Sequence, residues 1–214
     1  IDDILMLMKM VCPRTLAPEL IRFRNQPNRE GLKEFFNGLM TMEKEKQVQV
    51  VEEAVSFAKR ASRDDPLFGW IIKLNMAYPG DIGILSPILL NLILLKPNEA
   101  IYIPAGELHA YLEGVGIELM ANSDNVLRGG LTPKHVDVAE MLKIVSFQSR
   151  SVEKITPLGK GAFERTYPNP SGEFILCEIS LNKGGSVTGP DNRGVEIMIC
   201  TDGEAEIKDL GNGE

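Results

Sequence analysis

Up to about Tyr78, apolar positions recur at three- and four-residue intervals, the spacing that places side chains on one face of a helix. Asn28 has the short polar side chain that caps a helix start, and Leu32, Phe35, Phe36 and Leu39 follow at helical spacing. Lys46 to Arg60 predicts another helix, with Val48, Val51, Val55 and Phe57 or Ala58 near one face and Glu and Lys opposite. Asp65-Pro66 starts a third, since proline suits a first turn whose N–H groups have no partner to lose. Its apolar positions are Leu67, Trp70, Ile71 and Leu74. Tyr78-Pro79-Gly80-Asp81 ends the pattern.

From there to about Asn125, short apolar runs alternate with turn residues. Ile88 to Leu95, Ala100 to Ile103, Leu108 to Glu113 and Ile117 to Met120 read as strands. Lys96-Pro97-Asn98, Pro104-Ala105-Gly106 and Gly114-Val115-Gly116 separate them, and strands so closely spaced predict an antiparallel sandwich or barrel. Thr132-Pro133 opens one more helix, through Ile144, with Val136, Ala139, Met141 or Leu142, and Val145 on its buried face. After Ser149 strand signals return, clearest at Phe174 to Leu181, Gly194 to Cys200 and Ala205 to Leu210. Helices, strands, one helix, then strands: the order predicts a mixed α+β fold.

Composition narrows the function classes. The 214 residues are 43% hydrophobic and 25% charged, ordinary for a globular protein. A formal net charge of -7 repels nucleic acid and anionic membrane, and admits an anionic ligand only where Lys and Arg cluster locally. The most apolar run, Ile82 to Leu95, is too short to span a bilayer and is interrupted by Pro87 and Asn91. No signal peptide is expected, because no basic segment leads into an apolar run at the start. The chain begins at Ile1 without Met and stops just after a strand-like run, so both ends read as cuts through a longer protein. Cys12, Cys177 and Cys200 are spaced neither as a metal pair nor as a disulfide framework, and are expected as buried small hydrophobes in a reducing cytoplasm.

The candidate chemistry gathers around one of two histidines. His109 stands just beyond a glycine turn at the entry to a predicted strand, a placement that aims a neutral imidazole into a barrel mouth as a metal ligand. Taken alone, a single histidine is more often a hydrogen-bonded core or surface residue than a metal ligand. His135, beside Lys134, is expected to face solvent. Tyr111 shares the strand face of His109, because side chains two apart point the same way. Glu118 lies across the Gly114–Gly116 turn. The polar loop that follows carries Asp124, Arg128 and Lys134. It is either a solvated loop ending in a helix cap at Thr132, or a loop presenting carboxylate, guanidinium and ammonium groups to a polar ligand.

Two stretches carry a specific resemblance. Tyr78 to Pro87 (Tyr-Pro-Gly-Asp-Ile-Gly-Ile-Leu-Ser-Pro) resembles the entry to the catalytic cupin of type I mannose-6-phosphate isomerases. Ile-Pro-Ala-Gly-Glu-Leu-His-Ala-Tyr-Leu at 103–112, then Glu118 and Met-Ala-Asn-Ser-Asp-Asn-Val-Leu-Arg-Gly-Gly-Leu-Thr-Pro-Lys-His-Val-Asp through 137, is similar to the family's most distinctive stretch. Residues 1–78 resemble its inserted helical domain and 151–214 its C-terminal cupin, both more loosely.

The resemblance implies a β-sandwich (jelly-roll) cupin spanning 79–150, with an inserted all-helical domain at 1–78 and the start of a second cupin half at 151–214. It implies a cytoplasmic, monomeric enzyme that interconverts mannose 6-phosphate and fructose 6-phosphate through an enediol. One Zn2+ would be held by a Gln, two His and a Glu, of which His109 matches the last histidine; the other ligands would lie outside this chain. Arg128 and Glu118 are implied as catalytic, and Tyr111, Asp124 and Lys134 as substrate-binding, with Arg128 contacting substrate or the developing oxyanion and Lys134 the sugar phosphate. The general base is left unassigned, and the stretch by itself is expected to be inactive. The alternative is a non-catalytic cupin module that binds a sugar phosphate.

Overall fold

A computed structural model describes residues 1–123, 125–159, 163–189 and 194–208. Five helices come first: α1 (Asp2–Val11), α2 (Ala17–Asn25), α3 (Arg29–Thr41), α4 (Lys44–Ala61) and α5 (Pro66–Ala77). A 3-10 turn (Ile82–Leu85) runs into the short α6 (Ser86–Leu89). Much later come α7 (Val138–Ile144) and the strands β1 (Leu158–Gly159), β2 (Glu164–Tyr167) and β3 (Leu176–Ile179).

The helix starts follow from local chemistry. The Asn28 side chain accepts the Gly31 N–H at 3.0 Å, and the Asp65 carboxylate accepts the Leu67 N–H at 2.8 Å ahead of Pro66. Each satisfies a donor that the helix itself leaves unpaired. The apolar faces then close on one another around Met8, Val11, Leu16, Phe23, Phe35, Leu39, Val50, Ala54, Ile71 and Leu85. Burying each large side chain contributes roughly 1.5–3 kcal/mol, so this cluster dominates the stability of residues 1–90. Phe23 stacks on Phe35 with ring centroids 5.1 Å apart, joining α2 to α3.

In α4 the buried face is Val50, Val51, Ala54 and Ala58, and Val48 is 37% exposed. The expected face was turned too far, since Val50 and Ala54 set its centre. A smaller cluster of Phe36, Met141 and Phe147 fastens α7 to α3, with Leu108 packed against it.

The strand expectations are corrected in part. Phe174 to Leu181 contains β3, which pairs antiparallel with β2, and β2 with β1, in the order β1-β2-β3. Glu164 faces Ile179 and Tyr167 faces Leu176 across the ladder. Among the described residues, the runs at 101–120, 194–200 and 205–208 are not strands. Ala100 makes one isolated bridge to Ile155, with reciprocal 2.8 Å hydrogen bonds. Ile88 and Leu89 finish α6, which carries Pro87 in its first turn, rather than starting a strand. Alternating apolar residues favour an extended backbone, but a strand needs a hydrogen-bonded neighbour, and these runs have none. Val195 and Ile197 show the consequence, at 102% and 97% exposure.

The helix expected from Thr132 begins later, at Val138. There the Asp137 carboxylate caps it by accepting the Glu140 N–H at 2.9 Å. Thr132 instead accepts the Lys134 N–H at 3.2 Å, closing a bend. Of its expected inner face, Met141 is buried and Ala139 is exposed. Only Cys12 of the three cysteines is buried; Cys177 lies on the open face of β3, and Cys200 in a run exposed throughout. Among the described residues, no helix is long and apolar enough to cross a membrane.

Candidate functional site

His109 leaves the Gly106 turn exposed to solvent, with Nδ1 2.9 Å from the Glu107 carbonyl oxygen. With the proton on Nδ1, that carbonyl accepts it, and Nε2 keeps its lone pair for a metal. Glu107 is fixed in turn by Arg150, whose Nη2 donates to its carboxylate at 2.6 Å. The Tyr111 ring meets the His109 ring edge-on at 6.5 Å between centroids, so the expected shared face is present even without a strand ladder.

Tyr111 and Glu118 also come together as the turn at 114–116 predicted. Partial burial, then the Glu118 carboxylate as hydrogen-bond acceptor and neighbouring negative charge, hold the Tyr111 phenol above its ordinary pKa. Both side chains are nonetheless open to solvent, Tyr111 at 74%.

Arg128 is exposed and makes no hydrogen bond or ion pair with another described residue. The side chain of Lys134 is likewise exposed and unpaired among the described residues, and His135 faces solvent as expected. Asp124 lies outside the described residues. His109, Tyr111 and Glu118 thus form one contiguous group, while no hydrogen bond or ion pair joins Arg128 or Lys134 to it.

Among the described residues, no three His, Cys, Asp or Glu side chains converge as a metal site. His109 fits a single ligand position by its chemistry, and a closed tetrahedral set needs more.

Known proteins resemble this chain over most of its length. Residues 15–90 match the family model of the phosphomannose isomerase type I helical insertion domain. The mannose-6-phosphate isomerase of Escherichia coli is 35% identical over 194 residues, covering 89% of this chain and 48% of that protein. The chain is similar to type I phosphomannose isomerases. Among solved structures, the apo mannose 6-phosphate isomerase of Salmonella typhimurium superposes with a TM-score of 0.69 at 34% identity, over 84% of this chain and 46% of that one. A zinc-bound mannose 6-phosphate isomerase superposes with a TM-score of 0.68 at 33% identity, over 84% and 45%. The chain therefore spans about half the length of the phosphomannose isomerases it matches.

Reading the residues alone missed Glu107, Leu108 and Gly129. The carbonyl of Glu107 orients the imidazole, whereas Leu108 and Gly129 bring the two loops of the site together. The glycine pair directly after Arg128 was the available signal, because adjacent glycines often mark close backbone approach.

Proposed function

We propose that the intact gene product is an aldose–ketose isomerase interconverting mannose 6-phosphate and fructose 6-phosphate. The observation that carries the reading is the grouping of His109, Tyr111 and Glu118 in a chain similar to these isomerases. The reaction moves a proton between C1 and C2 of the open-chain sugar through an enediol, so it needs an acid–base group and a means of stabilising oxygen charge.

His109 would supply one ligand to a Zn2+ ion, in keeping with the zinc-bound relative. Such an ion, when bound, polarises the substrate oxygens as a Lewis acid. Glu118 is the candidate carboxylate for catalysis, aligned by the Tyr111 hydroxyl. Arg128 offers a free guanidinium to substrate or to the developing oxyanion, and Lys134 a point charge to the phosphate. Asp124 is assigned with Tyr111 to sugar contact. The three-part organisation also belongs to this reading: a helical domain at 1–78, a catalytic jelly-roll cupin portion at 79–150, and the start of a second cupin at 151–214. So do a monomeric state and a cytoplasmic setting.

The test is fructose 6-phosphate formation from mannose 6-phosphate by the intact gene product, with and without a zinc chelator. Chelator-sensitive turnover is the expected result. A folded, zinc-loaded protein that binds mannose 6-phosphate without turnover would instead identify a sugar-phosphate-binding module.

A further inference from the structure

We infer that Gly129 and Leu108 are positioning residues that hold the loop carrying Arg128 against the turn that presents His109. This rests on the roles proposed above for Arg128 and His109. Leu108 precedes His109 and Gly129 follows Arg128, so each lies one Cα step, about 3.8 Å, from a site residue. A methyl group at position 129 would stand 2.7 Å from Leu108 Cδ2 and 3.5 Å from Met141 Sδ. The bare backbone of Gly129 therefore rests directly on the Leu108 side chain. Leu108 has little room to yield, since it packs against the buried cluster of Phe36, Met141 and Phe147.

The opposite side of the same loop is in contact as well. Gly130, at φ +117°, sits where an added methyl would meet Asp81 Oδ1 and Gly83 Cα, both at 3.5 Å. A methyl at Gly83 would in turn stand 3.1 Å from the Leu131 nitrogen. Leu131 itself has φ +51°, a left-handed conformation that costs a branched side chain energy and persists only when neighbours impose it. The backbone carrying Arg128 is thus clamped between Leu108 on one side and the Asp81–Gly83 turn on the other. Arg128, whose side chain has no partner of its own among the described residues, takes its position from that clamp. A missing Cβ at 129 is what allows the two halves of the site to approach.

The experiment compares wild type, Gly129→Ala, Leu108→Val and the double variant in the intact gene product. Each is assayed for mannose 6-phosphate isomerisation, zinc content and urea midpoint. Gly129→Ala is expected to retain zinc and fold while kcat falls about a hundredfold and KM moves little, the scale of a displacement near 1 Å. Leu108→Val removes the colliding Cδ2, so the double variant is expected to recover at least about tenfold over Gly129→Ala, a non-additivity that neighbours in contact show. Wild-type kcat in Gly129→Ala, or no recovery in the double variant, overturns the inference. Should Gly129→Ala fail to fold, Leu108→Val alone decides: a several-fold loss of kcat supports positioning, and unchanged kcat overturns it. Absence of turnover in wild type defeats the proposed function, and the inference falls with it; equal turnover in wild type and Gly129→Ala defeats the inference alone.

Discussion

The Ser146 N–H donates to the carbonyl oxygen of Gly106 at 2.7 Å, tying the turn that presents His109 to the residues just beyond α7. Gly106 has φ +81°, and a methyl there would stand 2.7 Å from the Ile144 carbonyl oxygen. Both the left-handed backbone and the close approach require glycine.

Gly106→Ala is therefore expected to destabilise the protein by at least about 2 kcal/mol, from left-handed strain plus a collision with rigid backbone. Urea denaturation measures it. A loss below about 0.5 kcal/mol would mean the turn relaxes freely and does not brace His109.

Gly31→Ala addresses the junction of α2 and α3. An added methyl would fall 1.8 Å from the Gln26 carbonyl oxygen, a backbone atom in the turn between the helices. The turn must open to admit it, and a loss of roughly 2–4 kcal/mol is expected, against about 1 kcal/mol for removing the neighbouring cap with Asn28→Ala. Thermal melts of the two variants rank them. Equal effects would show that the close approach costs nothing beyond the cap.

Glu53 supplies a pH dependence. Burial alone would raise its pKa and is the largest single influence, but hydrogen bonds from Thr15 and Arg14 together outweigh it and hold the carboxyl below its ordinary 4.5. A depressed folded pKa favours folding wherever the group is charged. That stabilisation is whole above pH 4.5 and is lost as pH falls through the lower folded value. Glu53→Gln is expected to be less stable at neutral pH and to show a shallower decline below 4.5. Parallel curves for variant and wild type would remove Glu53 from the acid response.

The cysteines separate by environment. Burial, and after it the charge of Glu53, pushes the Cys12 thiol up to about 12, whereas Cys177 and Cys200 are exposed. Ellman's reagent at pH 8 is expected to titrate Cys177 and Cys200 in the native protein and Cys12 only in denaturant, because the thiolate is the reactive form. Rapid native reaction of all three would show that α1 and α4 open readily around Cys12.

How much of this was legible in the residues differed by region. The cap at Asn28, the Asp65-Pro66 start and the spacing from Leu32 to Leu39 act within a few residues, and the helices they predict are present. The Tyr111–Glu118 pair was readable for the same reason, since a short turn brings its flanks together. The start of α7 was misplaced because Thr132 and Asp137 are both competent caps, and only the packing of Met141 against Phe36 and Phe147 selects the second. The runs at 101–120 and 194–200 have β-forming composition, yet strand pairing depends on a neighbour that local sequence does not name.

The sequence by itself determined the helices of residues 2–77, the turns around His109 and the chemical identities of the site, because caps, glycines and helical spacing act over short distances. Only the tertiary structure decided that Gly129 lies on Leu108 and that α7 braces the His109 turn. Those contacts join residues more than twenty positions apart, and whether a side chain fits between them depends on space, not on any property of the residues read one at a time.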